Sequence, residues 1–353
     1  METITLVDHS KVHNKFKLNG HHLDRDDLCR VAYSFIKEGA EFEKPVGDFL
    51  LDWFDSKDYM ELQTSGATGS PKNLIVSKQA MVNSALATGD FFKLKPGDQI
   101  LNCLPVRFIA GKMMFIRAFI LGLEMDFVAP SSNPLQRCDK MYDFCAMVPL
   151  QAQNSIDHLH HVKRLIVGGA PISNELAKKL IEIPTNVYET YGMTETVTHI
   201  AIRGISKSFF EVMPHVSISQ DERNCLVIDA PAILNDQIIT NDIVSIESPT
   251  QFKWLGRFDN IINSGGIKFL PEAIESKLSS KIQRRYFISS EPDQDFGEKL
   301  ILIIEGEPFT LDANVFDGLD KFEKPKQIYF IPKFEDTYNG KLIRNATKAL
   351  LGV

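Results

Sequence analysis

Residues Thr64 to Lys72, TSGATGSPK, combine small residues, hydroxyl groups and one lysine in a single turn after an apolar segment. Glycines let backbone N–H groups converge on an anion, Ser and Thr add donors, and Lys72 adds positive charge. The segment therefore predicts a phosphate-binding loop. Its spacing is not that of a Walker A loop, and the chain contains no GxGxxG motif. A flexible surface loop is the alternative for this segment taken alone.

Two further turns carry residue types that suit a nucleotide. The apolar run LIVGGAP ends in Gly168-Gly169-Ala170-Pro171, and a glycine pair after a buried strand lets a flat ligand approach the backbone. In YETYGMTET, Tyr191 can stack on a base, Thr194 can bond a phosphate oxygen and Glu195 can coordinate Mg²⁺. The simpler interpretations are a tight turn for the first segment and a helix with Thr194 as its N-cap for the second.

Single charged residues follow later in the chain. Asp242 in TND and Arg257 in WLGRFDN suit the hydroxyls of a ribose, although each alone is more often a turn residue or a surface ion pair. Lys341 follows a glycine turn, where a lone lysine is usually solvent-exposed. The histidines at 158, 160 and 161 suggest a metal site only weakly, because they lack a clear set of carboxylate or cysteine partners.

The segments between these residues have regular apolar patterns. Helical spacing in the first sixty residues predicts a short helical cap. From Met60 onward, apolar runs alternate with amphipathic segments, which predicts parallel sheet built from βαβ units. Between Ile202 and Leu255 the helical pattern disappears, which predicts antiparallel strands or a small barrel.

The predicted fold class is therefore α/β. Residues 1–258 are expected to form a large N-terminal domain of mixed and parallel sheets, with flanking helices and a small β-rich subdomain. Residues 259–353 are expected to form a small, mobile α+β domain. A chain of 353 residues also exceeds what one hydrophobic core usually covers.

Composition argues against several classes of function. The 46 acidic residues outnumber the 39 Lys and Arg, and without basic runs a nucleic-acid surface is not expected. The apolar stretch from Met113 to Pro130 is interrupted by charged residues, so it predicts protein core and no membrane insertion. Five scattered cysteines predict neither disulfides nor a zinc site, and the N-terminus lacks a secretory signal. We therefore expect a cytoplasmic protein.

The order of the motifs along the chain is more informative than any one of them. TSGATGSPK, GGAP, YGMTET, TND, WLGRFDNIINSGGIKFLPEAIE and YNGKLIR follow one another from about Met60 to the C-terminus. This ordered set resembles the adenylate-forming superfamily of acyl-CoA synthetases and adenylation domains, and it is far more specific than any one motif. Within the superfamily, YGMTETVTHIAIR and LPVRFIAGKMM are most similar to the o-succinylbenzoate-CoA ligase subgroup of menaquinone biosynthesis.

The resemblance implies an ATP-dependent acid–thiol ligase. A carboxylic acid would be activated as an acyl-adenylate with release of pyrophosphate, and transfer to CoA would then give a thioester and AMP. The implied partners are a small carboxylic acid, ATP, Mg²⁺ and CoA. The alternatives are another aryl- or acyl-CoA ligase, a carrier-loading adenylating enzyme, and a non-catalytic nucleotide-binding protein.

The resemblance further implies roles for matching residues. The loop that would hold the β- and γ-phosphates of ATP contains Thr64, Ser65, Gly66, Ala67, Thr68, Gly69 and Lys72. The residues implied at the adenosine are Gly168, Gly169, Ala170, Pro171, Tyr191 and Gly192, with Asp242 and Arg257 on the ribose. The residues implied in chemistry are Thr194 on the α-phosphate, Glu195 on Mg²⁺ and Lys341 as the adenylation lysine. Asp259 would be the domain hinge, and the pantetheine tunnel would be lined by Ser264, Gly265 and Gly266.

Several positions depart from the family pattern. Ala67 lacks a hydroxyl common in the phosphate loop, and Phe108 stands where many relatives have histidine. Asn241 replaces the usual glycine, and asparagine is the residue that best tolerates a left-handed conformation. The phosphate loop also lies unusually near the N-terminus, so part of the first subdomain is expected to be missing. Self-association into a homo-oligomer would cover the exposed face, a hypothesis that light scattering tests.

Sequence alone provides only candidates for the acyl pocket. A substrate with two carboxylates and an aromatic ring needs apolar walls and cationic or hydrogen-bonding groups. The candidates are Arg107, Phe108, Lys112 and Arg203. Each of the three cations is more often a surface or structural charge than a ligand contact.

Overall fold

The computed structural model describes residues 7–63, 73–312, 314–337 and 342–352. They divide into two compact units, each described separately below. The first is drawn from Met1–Ile172, Leu176–Ser217 and Asp229–Gln237, and the second from Ser173–Glu175, Ile218–Ile228 and Ile238–Val353. Residues 238–258, predicted to lie in the N-terminal domain, belong to the second unit. The hinge at Asp259 stays a prediction.

Helices have identifiable start and stop signals. Asp24 and Asp27 form a reciprocal capping box at the first helix, and the Ser77 side chain accepts a hydrogen bond from the backbone of Gln79 at the third. Gly122 ends the fourth helix in the left-handed conformation, with φ at 69°. The helices are α1 (Arg25–Glu38), α2 (Lys44–Phe54), α3 (Lys78–Phe92), α4 (Ile109–Leu121), α5 (Pro149–Asn154), α6 (Asn174–Ile181), α7 (Pro271–Leu278) and α8 (Arg344–Ala349), with 3₁₀ turns at Ile156–His161 and Phe258–Asn260.

The first unit is built on a mixed sheet with the strand order β11-β10-β9-β8-β7-β5-β6-β1-β2. Neighbours from β9 to β1 pair in parallel, whereas β10, β11 and β2 pair antiparallel. Strands β3 and β4 form a separate antiparallel pair. The bounds are β1 (Lys17–Leu18), β2 (His21–His22), β3 (Tyr59–Gln63), β4 (Asn73–Ser77), β5 (Gln99–Asn102), β6 (Glu124–Phe127), β7 (Tyr142–Met147), β8 (Val162–Val167), β9 (Asn186–Gly192), β10 (His199–Gly204) and β11 (Phe210–Val212).

The second unit contains antiparallel strands followed by a smaller α+β region. The strand order β12-β13-β14-β15 precedes a β16–β17 hairpin and a sheet in the order β18-β19-β20. Apolar side chains of α7, β18 and β19 form a core, among them Ile274, Ile288 and Leu302. The bounds are β12 (Ser217–Gln220), β13 (Cys225–Asp229), β14 (Ile238–Ser248), β15 (Gln251–Arg257), β16 (Ile262–Ser264), β17 (Ile267–Phe269), β18 (Tyr286–Asp293), β19 (Gly297–Glu305) and β20 (Gln327–Ile331).

The predicted α/β fold class is confirmed, with two local corrections. The β3 and β4 strands pair antiparallel because the nine residues between them, 64–72, are too few for the crossover that parallel strands need. The first sixty residues contain β1 and β2 as well as the predicted helices, since two-residue strands are too short to show alternation. The antiparallel strands predicted after Ile202 are present.

Candidate functional site

Candidate residues of the first unit lie at the carboxyl ends of its parallel strands. Gly168 to Pro171 follow β8, Tyr191 is near the end of β9, and Leu104 to Phe108 follow β5. Since β5, β7, β8 and β9 run in the same direction, these ends share one edge of the sheet. Ligands of open α/β sheets bind at this edge.

The β8 and β9 ends approach each other closely at Gly168. The Thr190 hydroxyl donates to the carbonyl of Val167 at 3.4 Å, and a Cβ at Gly168 would collide with that hydroxyl. Gly169 adopts φ of 86°, a conformation that favours glycine. The close approach of Thr190 and the positive φ therefore each require a glycine here, independently of the proposed role of the pair at the adenine.

The turn that carries Thr194 and Glu195 is built by buried groups on its inner side. The Thr196 hydroxyl accepts from the backbone N–H of Met193 at 3.0 Å and donates to the carbonyl of Thr198 at 2.7 Å. Val197 is buried with φ at 66°, a strained conformation for a β-branched residue and one that occurs often at functional sites. The alternative of a helix capped by Thr194 is wrong, because β10 follows the turn directly.

Glu195 is exposed and lines a small cavity of about 160 Å³. The same cavity is lined by Leu74 to Ser77 of β4 and by Ile233 to Asn235. Strand β4 begins at Asn73, directly after the predicted phosphate loop in sequence. The loop itself, Thr64 to Lys72, lies outside the described residues. Its role stays a prediction.

The predicted acyl-pocket cations have different surroundings. Arg203 forms an ion pair with Glu189 at 2.5 Å and lies over the Phe210 ring. Arg107 lies over the ring of Phe108, with 4.8 Å between the guanidinium carbon and the ring centroid.

Lys112 lies over the Phe49 ring at 5.2 Å. Burial lowers the pKa of its ammonium group, and Asp52 and Asp48 partly offset that effect. Lys112 is therefore a half-buried cation of α4 whose charge the protein destabilises.

Sequence reasoning missed Arg117 as a site residue. This side chain of α4 is 2% exposed, and burial lowers the pKa of its guanidinium to about 10. Its Nη2 donates to the Thr198 hydroxyl at 3.3 Å, Nη1 contacts the Met114 sulfur at 3.8 Å, and the buried Nε has no partner among the described residues. The available signal was a single arginine inside the otherwise apolar stretch MMFIRAFIL.

The ribose candidates of the second unit are cross-strand partners. Asp242 of β14 pairs in register with Arg257 of β15, with 3.4 Å between Oδ1 and Nη1. The Trp254 indole donates to the same Asp242 oxygen at 3.1 Å. The predicted hinge residue Asp259 accepts from Arg257 at 2.9 Å. Three residues singled out separately from sequence therefore form one charge cluster.

Asn241 joins the cluster through its side chain. Its amide donates to Asp259 at 3.1 Å, and its Oδ1 accepts from Arg223 at 3.0 Å. Asn241 lies inside β14 and is absent from the residues with positive φ, so the expectation of a left-handed position is wrong. Asparagine here provides hydrogen bonds that glycine lacks.

The tunnel and lysine candidates lie later in the second unit. Ser264, Gly265 and Gly266 form the tip of the β16–β17 hairpin, and both glycines have positive φ. Lys341 lies outside the described residues. On either side of it, Asp336 and Leu342 form an antiparallel bridge.

Two other features of the sequence have simple outcomes. His160 and His161 stack at 4.2 Å in a 3₁₀ turn, and within the described ranges no group of three or more His, Cys, Asp or Glu residues is arranged to hold a metal. In the same ranges, each helix is too short or too polar to cross a membrane.

Comparisons with known proteins agree on one family. A family model described as AMP-binding enzyme matches residues 53–221. An acyl-CoA synthetase (AMP-forming)/AMP-acid ligase II-like protein from Dyadobacter fermentans, of known structure, is 33% identical, with 91% of this chain and 98% of that chain covered and a TM-score of 0.62.

Other relatives carry more specific names. The 2-succinylbenzoate–CoA ligase of Haemophilus influenzae is 25% identical, over 88% of this chain and 72% of that protein. The o-succinylbenzoate CoA synthetase of Bacillus subtilis, solved with ATP and a magnesium ion, has a TM-score of 0.70 at 18% identity, over 82% of this chain and 69% of that one. At that identity the structural match supports the fold alone.

Proposed function

The chain belongs to the family of AMP-forming acyl-CoA synthetases, and on this premise we propose that it converts o-succinylbenzoate to its CoA thioester. ATP would first convert the acid to an acyl-adenylate with release of pyrophosphate. The thiol of CoA would then displace AMP. The name of the Haemophilus influenzae relative supports this choice of acid.

Buried Arg117 is the observation that carries the choice of a dicarboxylic acid. An isolated buried cation costs several kcal/mol unless an anion or a set of hydrogen bonds compensates it. In the described part of the chain no carboxylate pairs with Arg117. Among the described residues, the oxygen that accepts from the guanidinium is the hydroxyl of Thr198, three residues after Glu195. A second carboxylate on the substrate would neutralise the guanidinium while the first carboxylate reacts.

The remaining roles follow the order of bond changes. A carboxylate is a poor acyl donor because its leaving group is strongly basic, and AMP is a far better leaving group. Attack of the acid on the α-phosphate brings two anions together, so Thr194 and Lys341 would hold the phosphoryl group and stabilise its developing charge. The loop from Thr64 to Lys72 would hold the phosphates that leave as pyrophosphate.

Magnesium fits the described residues as a companion of ATP. Mg²⁺ is commonly bound by one or two carboxylates together with substrate phosphates, and Glu195 is an exposed carboxylate on a turn closed by the Met193–Thr196 hydrogen bond. Bound there, the ion would neutralise phosphate charge. The protein would orient the nucleotide through Tyr191 at the base and through Asp242 and Arg257 at the ribose.

The two half-reactions need different surroundings for the same acyl carbon. Lys341 has no evident task once the adenylate exists, whereas the thiol of CoA needs a channel. We therefore propose that residues 259–353 rotate relative to residues 1–258 about Asp259 between the two steps. Ser264, Gly265 and Gly266 would then line the path of the pantetheine arm.

Pyrophosphate release from Mg·ATP, with mass spectrometry of the products, tests the proposal. The acids are o-succinylbenzoate and the two monoacids that lack one of its carboxylates, 4-oxo-4-phenylbutanoate and 2-propanoylbenzoate, each with and without CoA. We expect a thioester preferentially from o-succinylbenzoate. Preference for an unrelated acid would discard the substrate and keep the reaction, and no turnover with a broad panel would favour a nucleotide-binding protein.

Lys341→Ala tests whether Lys341 acts in adenylate formation alone and not in thioester formation. We expect adenylate formation to fall by at least 100-fold, because one positioned charge in a transition state contributes several kcal/mol. Thioester formation from a supplied adenylate should stay within threefold of the unsubstituted enzyme. Lys333→Ala, at an exposed lysine of the same unit, is the control. Equal losses in both half-reactions would contradict this assignment.

A further inference from the structure

A chain of buried and half-buried polar groups connects Arg117 to helix α3. The Arg117 Nη2 lies 3.3 Å from the Thr198 hydroxyl, which lies 3.2 Å from Nδ1 of His199. On the other side of the ring, Nε2 lies 3.4 Å from the hydroxyl of Thr88. Thr88 in turn donates to the carbonyl of Ser84 at 2.9 Å. We call these four side chains and the Ser84 carbonyl the Arg117 relay.

The two ends of the relay, together with a neutral imidazole between them, determine the direction of every hydrogen bond in it. A carbonyl only accepts, so the single Thr88 hydroxyl proton points to Ser84 and the Thr88 oxygen accepts from Nε2–H of His199. In a neutral imidazole Nδ1 then carries a lone pair and accepts the Thr198 hydroxyl proton. The Thr198 oxygen is then left to accept from Arg117, which only donates.

This direction requires a neutral His199 with its proton on Nε2. A second proton on Nδ1 would face the Thr198 hydroxyl, reverse that hydroxyl and place another cation beside Arg117. Burial, with the charge of Arg117 as the second cause, lowers the pKa of His199 well below its usual value. Geometry and electrostatics thus favour the same form of the imidazole.

We infer that His199 is a positioning residue for the acyl substrate, because its Nδ1 holds the Thr198 hydroxyl in the one orientation that accepts from Arg117. The inference rests on the proposed function and extends it to a residue that does not touch the substrate. With Nη2 committed to Thr198, the relay fixes the orientation of the rest of the guanidinium. Its Nε, which is buried and has no partner among the described residues, is the donor that we assign to a carboxylate. Loss of the Nδ1 acceptor should let Thr198 rotate and leave Arg117 in several orientations.

Two substitutions separate the two ring nitrogens. His199→Asn places an amide oxygen near the position of Nδ1, so it keeps an acceptor for Thr198 and loses the link to Thr88. His199→Gln places an amide NH₂ near Nε2 and loses the acceptor for Thr198. We expect His199→Gln to raise KM for o-succinylbenzoate at least tenfold with kcat within threefold, and His199→Asn to restore most of that KM.

The next link of the relay provides an independent pair of variants. Thr198→Val removes the hydroxyl at nearly constant volume and should raise KM like His199→Gln, whereas Thr198→Ser should stay near the original value. Thr185→Val is the matched control, because Thr185 is also buried and donates to a backbone carbonyl, that of Leu159 at 2.6 Å. It should leave KM for both the diacid and the monoacids unchanged.

The monoacids distinguish the ways in which the idea can fail. For an acid without the carboxylate that Arg117 binds, KM should be the same in all these variants. If the unsubstituted enzyme uses one of the monoacids as well as o-succinylbenzoate, the proposed substrate is wrong and the inference falls with it. A second outcome is that the unsubstituted enzyme prefers the diacid over the monoacids, and that His199→Gln and Thr198→Val retain the same preference. In that case only the positioning role of His199 is overturned. Equal KM increases for all the acids would likewise overturn it.

Discussion

Two buried cations of the first unit differ in how their charge is compensated. Lys78, the first residue of α3, is 0% exposed, and its ammonium contacts Asp55 Oδ1 at 2.7 Å. Arg117 of α4 is 2% exposed and has hydroxyl and thioether partners in the described chain. Burial is the same, yet only one of the two cations has a carboxylate.

This difference in compensation distinguishes Lys78, whose charge stabilises the fold, from Arg117, whose charge can bind an anionic ligand. An ion pair such as Lys78–Asp55 is complete within the fold, so it ties the helices of the first sixty residues to α3. Arg117 is held in place by neutral groups that orient it without cancelling its charge. A site built this way retains electrostatic attraction for an incoming anion.

Arg117→Met should give the largest effect, and on activity alone. Removal of one partner from a buried charge pair in a complex costs about 2–5 kcal/mol, so kcat/KM for o-succinylbenzoate should fall by about 30-fold or more. The free energy of unfolding should stay constant or rise, because an apolar side chain of similar volume replaces a buried charge that has no carboxylate partner among the described residues. Steady-state kinetics and urea denaturation measure the two quantities. Arg117→Met with full activity and lowered stability would make Arg117 structural.

Asp55→Ala should show the opposite pattern. It leaves Lys78 buried without its carboxylate, so the free energy of unfolding should fall by about 3 kcal/mol while kcat/KM for o-succinylbenzoate stays within twofold. The double variant Asp55→Ala with Lys78→Met should recover part of this loss. Glu41→Ala, in an exposed ion pair with Lys44, is the control and should cost less than 1 kcal/mol. If Asp55→Ala loses activity and keeps its stability, Lys78 is not the structural charge of the pair and the contrast with Arg117 is wrong.

The sequence predicted elements better than it predicted their partners. The amphipathic pattern KQAMVNSALATGDFF coincides with α3, and NVYETYG coincides with β9. Both follow from local periodicity, which depends on residues three, four or two positions apart. The parallel arrangement predicted from Met60 onward does not hold for β3 and β4, which pair antiparallel, because periodicity carries no information about which strands are neighbours.

The same limit applies to charge compensation. Asp55 and Lys78 are 23 positions apart, and Arg117 and Thr198 are 81 positions apart, so no local pattern distinguishes the two cations. The motifs predict a site at the turn with Thr194 and Glu195, since a hydroxyl and a carboxylate can themselves bind a phosphate and Mg²⁺, and that role stays a prediction. Arg117 differs from these motif residues, because in the sequence it is only a charged residue within an apolar helix. Its proposed role depends on partners that the sequence does not identify.

Acidification should produce the smallest effect, through His199. The unfolded chain binds a proton near pH 6.5, whereas burial and the charge of Arg117 lower the pKa of His199 in the folded protein. Below that pH the unfolded state holds more protons, so the free energy of unfolding falls as pH falls, by up to about 1.4 kcal/mol per unit from this one group. Urea denaturation between about pH 7.5 and pH 5 measures the slope.

His199→Asn should reduce the slope of the free energy of unfolding against pH by the contribution of one proton, because the asparagine side chain does not titrate in that range. His215→Asn, at an exposed histidine of the same unit, is the control for histidine content. The Lys78–Asp55 ion pair should persist over the same range, since Asp55, whose pKa is lowered by Lys78 despite the opposing effect of burial, stays ionised down to more acidic pH. If His199→Asn and the unsubstituted protein have parallel curves, the ring is already protonated beside Arg117. In that case the neutral relay, and with it the contrast between the two buried cations, is wrong.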